Sequence, residues 1–331
     1  MEAETGVMEI WQGILTLRSI VVTPMRTKYA AIGMVAALLA AGSAAVPMTQ
    51  DSERPEHDPL IADMIQRIDE GEIYSTICDL QNFTSRYYGY QGNELASEYL
   101  FGRMSGIPGL QVEYQGGEHR NVIATLPGVD RTSTKLLIMG AHYDSKSSDG
   151  TGFAPGATDN GGGVAIVLEL ARVMSRYSFD HTLVFALWNA EEGGTDVMGS
   201  SVYAQEARES GMDIALYLNF DSACYDPSSS MVLDIMFKES ARSVASLMAE
   251  SNRLYDIGLK LTYNVHTCGS DHRAFWAEGY PAVMTHQPEH GPAHTASDTA
   301  DQVSTLFAKR NGQLGMAALA HLAGVRAPAD R

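Results

Sequence analysis

Residues 135–145 read KLLIMGAHYDS. Positions 135–141 form a nearly unbroken apolar run, the pattern of a strand covered on both faces of its sheet, and it leads directly into His142 and Asp144. The arrangement recurs twice: the run 182–188 (TLVFALW) precedes Glu191 and Glu192, and 215–220 (ALYLNF) precedes Asp221. Runs at 121–126, 231–236 and 281–285 complete the strand candidates. Between them, helical patterns span 60–71, 93–104, 163–177, 199–210, 238–253 and 299–322, the last opened by a capping box of Thr299 with Gln302. This alternation predicts an α/β fold, a three-layer α/β/α sandwich around a mixed or mostly parallel sheet. Open sheets of that kind build their sites beyond the carboxyl ends of the strands, so the polar residues that follow these runs are expected to converge.

The chain has 331 residues, 45% hydrophobic and 19% charged, the profile of a soluble globular protein. No Pro- or Ser-rich linker and no internal repeat interrupts 58–331, which reads as one domain. The formal net charge of −17 excludes a basic patch for nucleic acid or anionic membrane. Arg26 and Lys28 precede an apolar run and a Ser43-Ala44-Ala45 stretch, so 25–45 is expected to be a signal peptide and the protein secreted or periplasmic, with an uncleaved membrane anchor as the alternative. Residues 1–24 read as an upstream extension, which makes Met25 the expected initiator, and 46–57 as a leader or propeptide. Export permits disulfides. Of Cys78, Cys224 and Cys268, the candidate pair is Cys224 with Cys268, both close in sequence to acidic residues of interest; buried free thiols are the alternative.

Five potential metal ligands follow one another along the chain: His142, Asp159, Glu192, Asp221 and His294, with the carboxylate of Glu191 beside the third. Each alone has an ordinary reading, as a turn histidine, a helix-capping aspartate or a solvated pair at a helix start. Together they suffice for two divalent cations and a base for water. His142 and Asp144 are two apart in extended chain and so share a side, where Asp144 can orient the imidazole. Two imidazoles with carboxylates suit zinc, with cobalt or manganese as substitutes.

The segments GAHYDS (140–145), PGATDNGGG (155–163), NAEEGG (189–194), NFDS (219–222) and HTASDT (294–299) resemble, in that order, the motifs of the M28 family of zinc aminopeptidases, over a stretch from about Asp58 to the last helix. The resemblance implies a zinc-exopeptidase architecture of the phosphorylase/hydrolase-like type. It implies one zinc on His142 and Asp221, another on Glu192 and His294, Asp159 bridging, and Glu191 as general base. It also implies a peptide bond after Asp159 that is cis or visibly strained, and substrates that are peptides or proteins with a free N-terminus. Some relatives carry a Tyr before the last ligand histidine, where this chain has Ala293, so the donor to the developing oxyanion is left open. Tyr225, Phe275 and His286 are candidates for a side-chain pocket, with ordinary core packing as the alternative. Glutaminyl cyclases share the resemblance but use one zinc. Carboxypeptidase or dipeptidase activity, and a non-catalytic binding domain, are further alternatives.

Overall fold

The side chain of Asp58 accepts the Leu60 amide at 2.8 Å, and Pro59 occupies the first helical position, so α1 (Pro59–Gln66) begins here. This computed structural model describes residues 55–149, 152–193, 198–264, 269–289 and 291–327. The expected signal segment and Cys268, and with it the Cys224–Cys268 pair, lie outside the described residues. The helix expected over 60–71 ends at Gln66, and a second helix, not expected from the sequence, follows it. Asp69 accepts the amides of Gly71 and Glu72 and so launches α2 (Glu70–Gln81).

The order continues α3 (Gln91–Ser105), β1 (Gln111–Gln115), β2 (Asn121–Leu126), β3 (Lys135–His142), α4 (Gly162–Met174), β4 (Ser178–Phe179), β5 (Thr182–Trp188), α5 (Gly199–Glu209) and β6 (Asp213–Phe220). Then come β7 (Val232–Phe237), α6 (Arg242–Leu254), β8 (Lys260–Asn264), α7 (His272–Ala277), β9 (Ala282–His286), α8 (Thr305–Ala323) and β10 (Val325–Arg326). Eight strands form one sheet in the order β1-β2-β5-β3-β6-β9-β7-β8, while β4 pairs with β10 apart from it. The centre, β5-β3-β6-β9, is parallel. β1, β2 and β7 run antiparallel to a neighbour, which makes the sheet mixed.

Strand side chains alternate between two cores. Leu137, Met139 and Ala141 of β3, with Leu183, Phe185 and Leu187 of β5, face a large core that includes residues of α1, α2, α4, α6 and α8. Ile138, Val184, Ala186 and Trp188 face a smaller core with Tyr203 of α5 and Phe275 of α7. The result is the expected three-layer sandwich. β1 (QVEYQ) and β8 (KLTYN) had no apolar run to announce them, because they are edge strands with no fully buried residue.

The last helix starts later than its expected capping box. Thr299 makes no side-chain cap bond, and after the short turn Ala300–Gln302 the backbone at Val303 is extended (φ −83°, ψ 144°). Ser304 then caps α8 by accepting the Phe307 amide. On α4, Gly163 allows close approach to the end of β6: a Cβ there would stand 2.3 Å from Asn160 Oδ1 and 2.4 Å from the Phe220 carbonyl oxygen. Gly163→Ala is therefore expected to destabilise the fold by about 1–3 kcal/mol through overpacking, seen as a lower Tm in thermal denaturation, whereas an alanine at exposed Gly102, which meets no atom within 4 Å, leaves Tm unchanged or higher.

Candidate metal centre

The parallel register brings the strand ends level. His142 pairs with Trp188, and Asn219 pairs with Gly140 on one side and Met284 on the other. His142 closes β3, Glu191 and Glu192 lie in the short turn after β5, Asp221 is one residue past β6, and His286 closes β9. Asp159 arrives from the turn before α4, and His294 from the loop before α8.

These side chains form two groups that share Asp159. Nε2 of His142 lies 3.3 Å from Asp159 Oδ1 and 3.7 Å from Asp221 Oδ1. Nε2 of His294 lies 3.0 Å from Asp159 Oδ2 and 3.1 Å from Glu192 Oε1. In each group the candidate ligand atoms lie within 4.8 Å of one another. Bonds of about 2.0–2.2 Å at tetrahedral angles would set zinc ligands roughly 3.3–3.6 Å apart, close to these spacings. Asp159 turns one oxygen to each group, as a bridging carboxylate must. Glu192 Oε1 is buried without a hydrogen-bond partner, a position that a cation would satisfy. The residues present thus fit a pair of zinc ions.

A lattice of buried groups holds the ligands. Asp144 lies with Oδ1 3.4 Å and its carbonyl oxygen 3.2 Å from Nδ1 of His142, leaving Nε2 free to face the carboxylates. Its two oxygens also accept the amides of Glu191 (3.1 Å) and Glu192 (3.0 Å), so one carboxylate orients a ligand and anchors the adjacent loop. Asp298 accepts the amides of Thr158 (2.8 Å) and Asp159 (3.1 Å). The amides of Asn93 and Asn189 bond to each other at 2.8 and 3.0 Å, and Asn189 donates its backbone N–H to Asn121, fixing the turn that carries the two glutamates. The Asp159–Asn160 peptide is cis, as the family resemblance implied. Ala190, Ser222 and His294 adopt left-handed φ of 62°, 47° and 61°, an uncommon conformation for residues with side chains and one that collects at functional sites.

Arg86, unremarkable in sequence, is wholly buried beneath this cluster. Its guanidinium donates to the carbonyls of Tyr143 (2.7 Å), Leu80 (3.1 Å), Pro155 (2.6 Å) and Gly156 (2.9 Å), which ties the exit of β3 to the loop ahead of Asp159. Burial lowers its pKa to about 10, against the pull of Asp298, Asp144, Asp159 and Glu192, and it stays charged at neutral pH.

Burial also pushes the Glu191 carboxyl up to about 9; Asp221, Asp271 and Glu192 add to the rise, and His142 opposes it. Burial disfavours the charged form of Asp159, yet hydrogen bonds from His142 and His294 hold its carboxyl far below the usual range. The nearby carboxylates of Asp159 and Glu192 raise His294 to about 10. The carboxylates therefore demand positive charge, which metal ions would supply in place of protons.

The cluster opens into a cavity of about 400 Å³ lined by Glu191, Glu192, Asp221, His286, Ala293 and His294, among others. His286, at the end of β9, lines this wall. Phe275 does not: it is fully buried in the smaller core, stacked 4.0 Å from Tyr217, because α7 covers the far face of the sheet. Tyr225 stands behind the wall, where its ring would meet any side chain at Gly291. His272 is buried edge-on against Trp276. The cavity wall also carries Lys146, which the motifs gave no reason to single out.

The model of peptidase family M28 matches residues 121–319. A probable leucine aminopeptidase of Arthroderma otae is 25% identical over 270 residues, 75% of this chain and 71% of that protein. Among solved structures, the LapA aminopeptidase of Legionella pneumophila is similar with a TM-score of 0.74 at 20% identity, covering 84% of this chain and 78% of that one. A glutaminyl cyclase of Fimbriiglobus ruber is similar with a TM-score of 0.62 at 22% identity, covering 76% and 94%. At such identities these two structures establish the fold alone, and they carry different activities on it.

The role of Arg86 is open to a direct check. Arg86→Met leaves buried carbonyls without donors, each worth roughly 1–3 kcal/mol, so Tm should fall by several degrees or more; an unchanged Tm would show that the clamp is dispensable.

Proposed function

Because the chain belongs to peptidase family M28, whose model covers residues 121–319, we propose that it is a co-catalytic di-zinc aminopeptidase that removes residues from the free N-terminus of peptides or proteins. The observation that carries this reading is the pair of ligand groups divided between the two oxygens of Asp159. His142 and Asp221 would hold one zinc, Glu192 and His294 the other, with Asp159 between them. Cobalt or manganese would substitute. The same observation argues against a one-zinc cyclase, for which the His142–Asp221 half of the site would have no purpose.

Bound zinc supplies Lewis acidity, making water acidic near neutral pH and polarising a carbonyl. The chain's own groups move the protons. Glu191 borders the same cavity as the ligands and takes a proton from the attacking water as its oxygen bonds to the scissile carbonyl carbon. It returns that proton to the amine as the C–N bond breaks. Adjacent positive charge favours the ionised form that a base needs, against the effect of burial. Asp144 acts indirectly, by orienting His142 and the Glu191–Glu192 turn. The net charge of −17 steers cationic peptide ends towards the protein, and the name of the leucine aminopeptidase relative favours cleavage at the N-terminus.

In this reading 58–331 is the catalytic domain and 25–45 an export signal, so the enzyme works outside the cytoplasm. No helix of the described residues is long and apolar enough to cross a membrane.

Glu191→Gln should keep two zinc ions per chain by atomic emission while kcat on leucyl peptides falls about 10²–10⁴-fold; near-normal turnover would remove Glu191 from its role. A chelator should abolish cleavage of free peptides, zinc should restore it, and N-acetylated peptides should resist throughout. Cleavage of acetylated peptides from the other end would point to a carboxypeptidase.

A further inference from the structure

The two oxygens of Glu192 lie in different surroundings. Oε1 is buried without a hydrogen-bond partner, 3.1 Å from His294 Nε2, and belongs to the second ligand group. Oε2 lies 2.6 Å from Nζ of Lys146, whose side chain is 35% exposed beside a glutamate that is 2% exposed. Lys146 is the one lysine or arginine among the described residues lining this acidic cavity.

A carboxylate can offer a metal one oxygen or two. With Oε2 engaged by an ammonium, Glu192 has one left, and the second group then supplies one atom each from Asp159, Glu192 and His294. Three protein ligands and an open position are what distinguish a catalytic zinc site from a closed structural one. Freed from the lysine, Oε2 could turn to the metal and fill the position that water or substrate must use. An ammonium so near also repels a cation, so its presence weakens metal binding.

We propose that Lys146 is a positioning residue for the reaction: it restricts Glu192 to single-oxygen ligation and keeps the second metal's remaining position open, at a cost in metal affinity. This rests on the di-zinc reading above. A lysine that merely tied two loops together would have the opposite signature, since losing it would loosen Glu192 and weaken the site.

The test compares the full chain with its Lys146→Met and Lys146→Arg variants, using competition against a zinc-chelating dye to measure the more weakly held ion, together with kcat and KM on a leucyl substrate. Lys146→Met should still bind two zinc ions, hold the weaker one about tenfold tighter, and turn over at least about tenfold more slowly with KM nearly unchanged. Lys146→Arg, which keeps the charge, should bind zinc as the parent does and recover most of the turnover. Unchanged or weaker zinc affinity in Lys146→Met overturns the proposal, as does failure of arginine to restore turnover. Should the parent bind fewer than two zinc ions or leave peptides uncut, the di-zinc reading itself falls, and this inference with it.

Discussion

Several anionic groups share one small volume at the carboxyl edge of the sheet, and the structure around them is organised to make that tolerable. Asp144, Asp159, Glu192, Asp221, Asp271 and Asp298 are all buried, with Glu191 beside them. Buried charge is costly unless it is paired or hydrogen-bonded. Of the groups proposed to leave metal binding to others, Asp144 and Asp298 are satisfied by the backbone, each accepting two amides. Those proposed as ligands point their oxygens at imidazole nitrogens and at one another. Arg86 adds fixed positive charge from below and Lys146 from the cavity side.

Such an arrangement needs a rigid frame. The parallel strands at the centre of the sheet, with a packed core on each face, set the ends of β3, β5, β6 and β9 side by side, and His142, Glu192 and Asp221 stand at or within a few residues of those ends. The turn before α4 is held just as firmly. Asn160 donates to the Phe220 carbonyl and accepts the Gly163 amide, which joins the segment bearing Asp159 to the end of β6. A shift of one residue in any of these connections would move a ligand by more than a metal bond length, which accounts for how much of the local hydrogen bonding is spent on position.

The cation side of this balance also separates binding from catalysis. A site built for affinity alone would place no ammonium near its metal. In the di-zinc reading proposed above, Lys146 on the outer oxygen of Glu192 would instead divide that carboxylate between two partners, an arrangement that makes sense where an open coordination position is worth more than the tightest grip.

Apolar runs made the central strands legible, because residues covered on both faces must be hydrophobic whatever their neighbours. The candidate ligands could be named for a similar reason, as metal coordination leaves few choices of side chain. The edges escaped notice: β1 and β8 have no buried residue and need no distinctive pattern, and α2 was missed, since it begins at the cap Asp69 and runs to Gln81, past the helix expected over 60–71. Thr299 and Gln302 had the composition of a cap, but the extended backbone at Val303 gave that role to Ser304. Phe275 was equally compatible with a pocket wall and with a core, and the packing of α7 against Tyr217 decided for the core.

The sequence by itself determined the central strands and most of the helices between them, the layer architecture and the identities of the groups able to bind metal, since these follow from local periodicity and from side-chain chemistry. Tertiary structure alone decided which groups meet: that Asp159 faces both ligand sets, that Arg86 lies beneath them with its donors on four carbonyls, and that Lys146 takes one oxygen of Glu192. All but one of those pairings, Arg86 with the Leu80 carbonyl, join residues more than ten and up to more than a hundred positions apart, and no local pattern along a chain can record a distance that arises only when the strands are laid side by side.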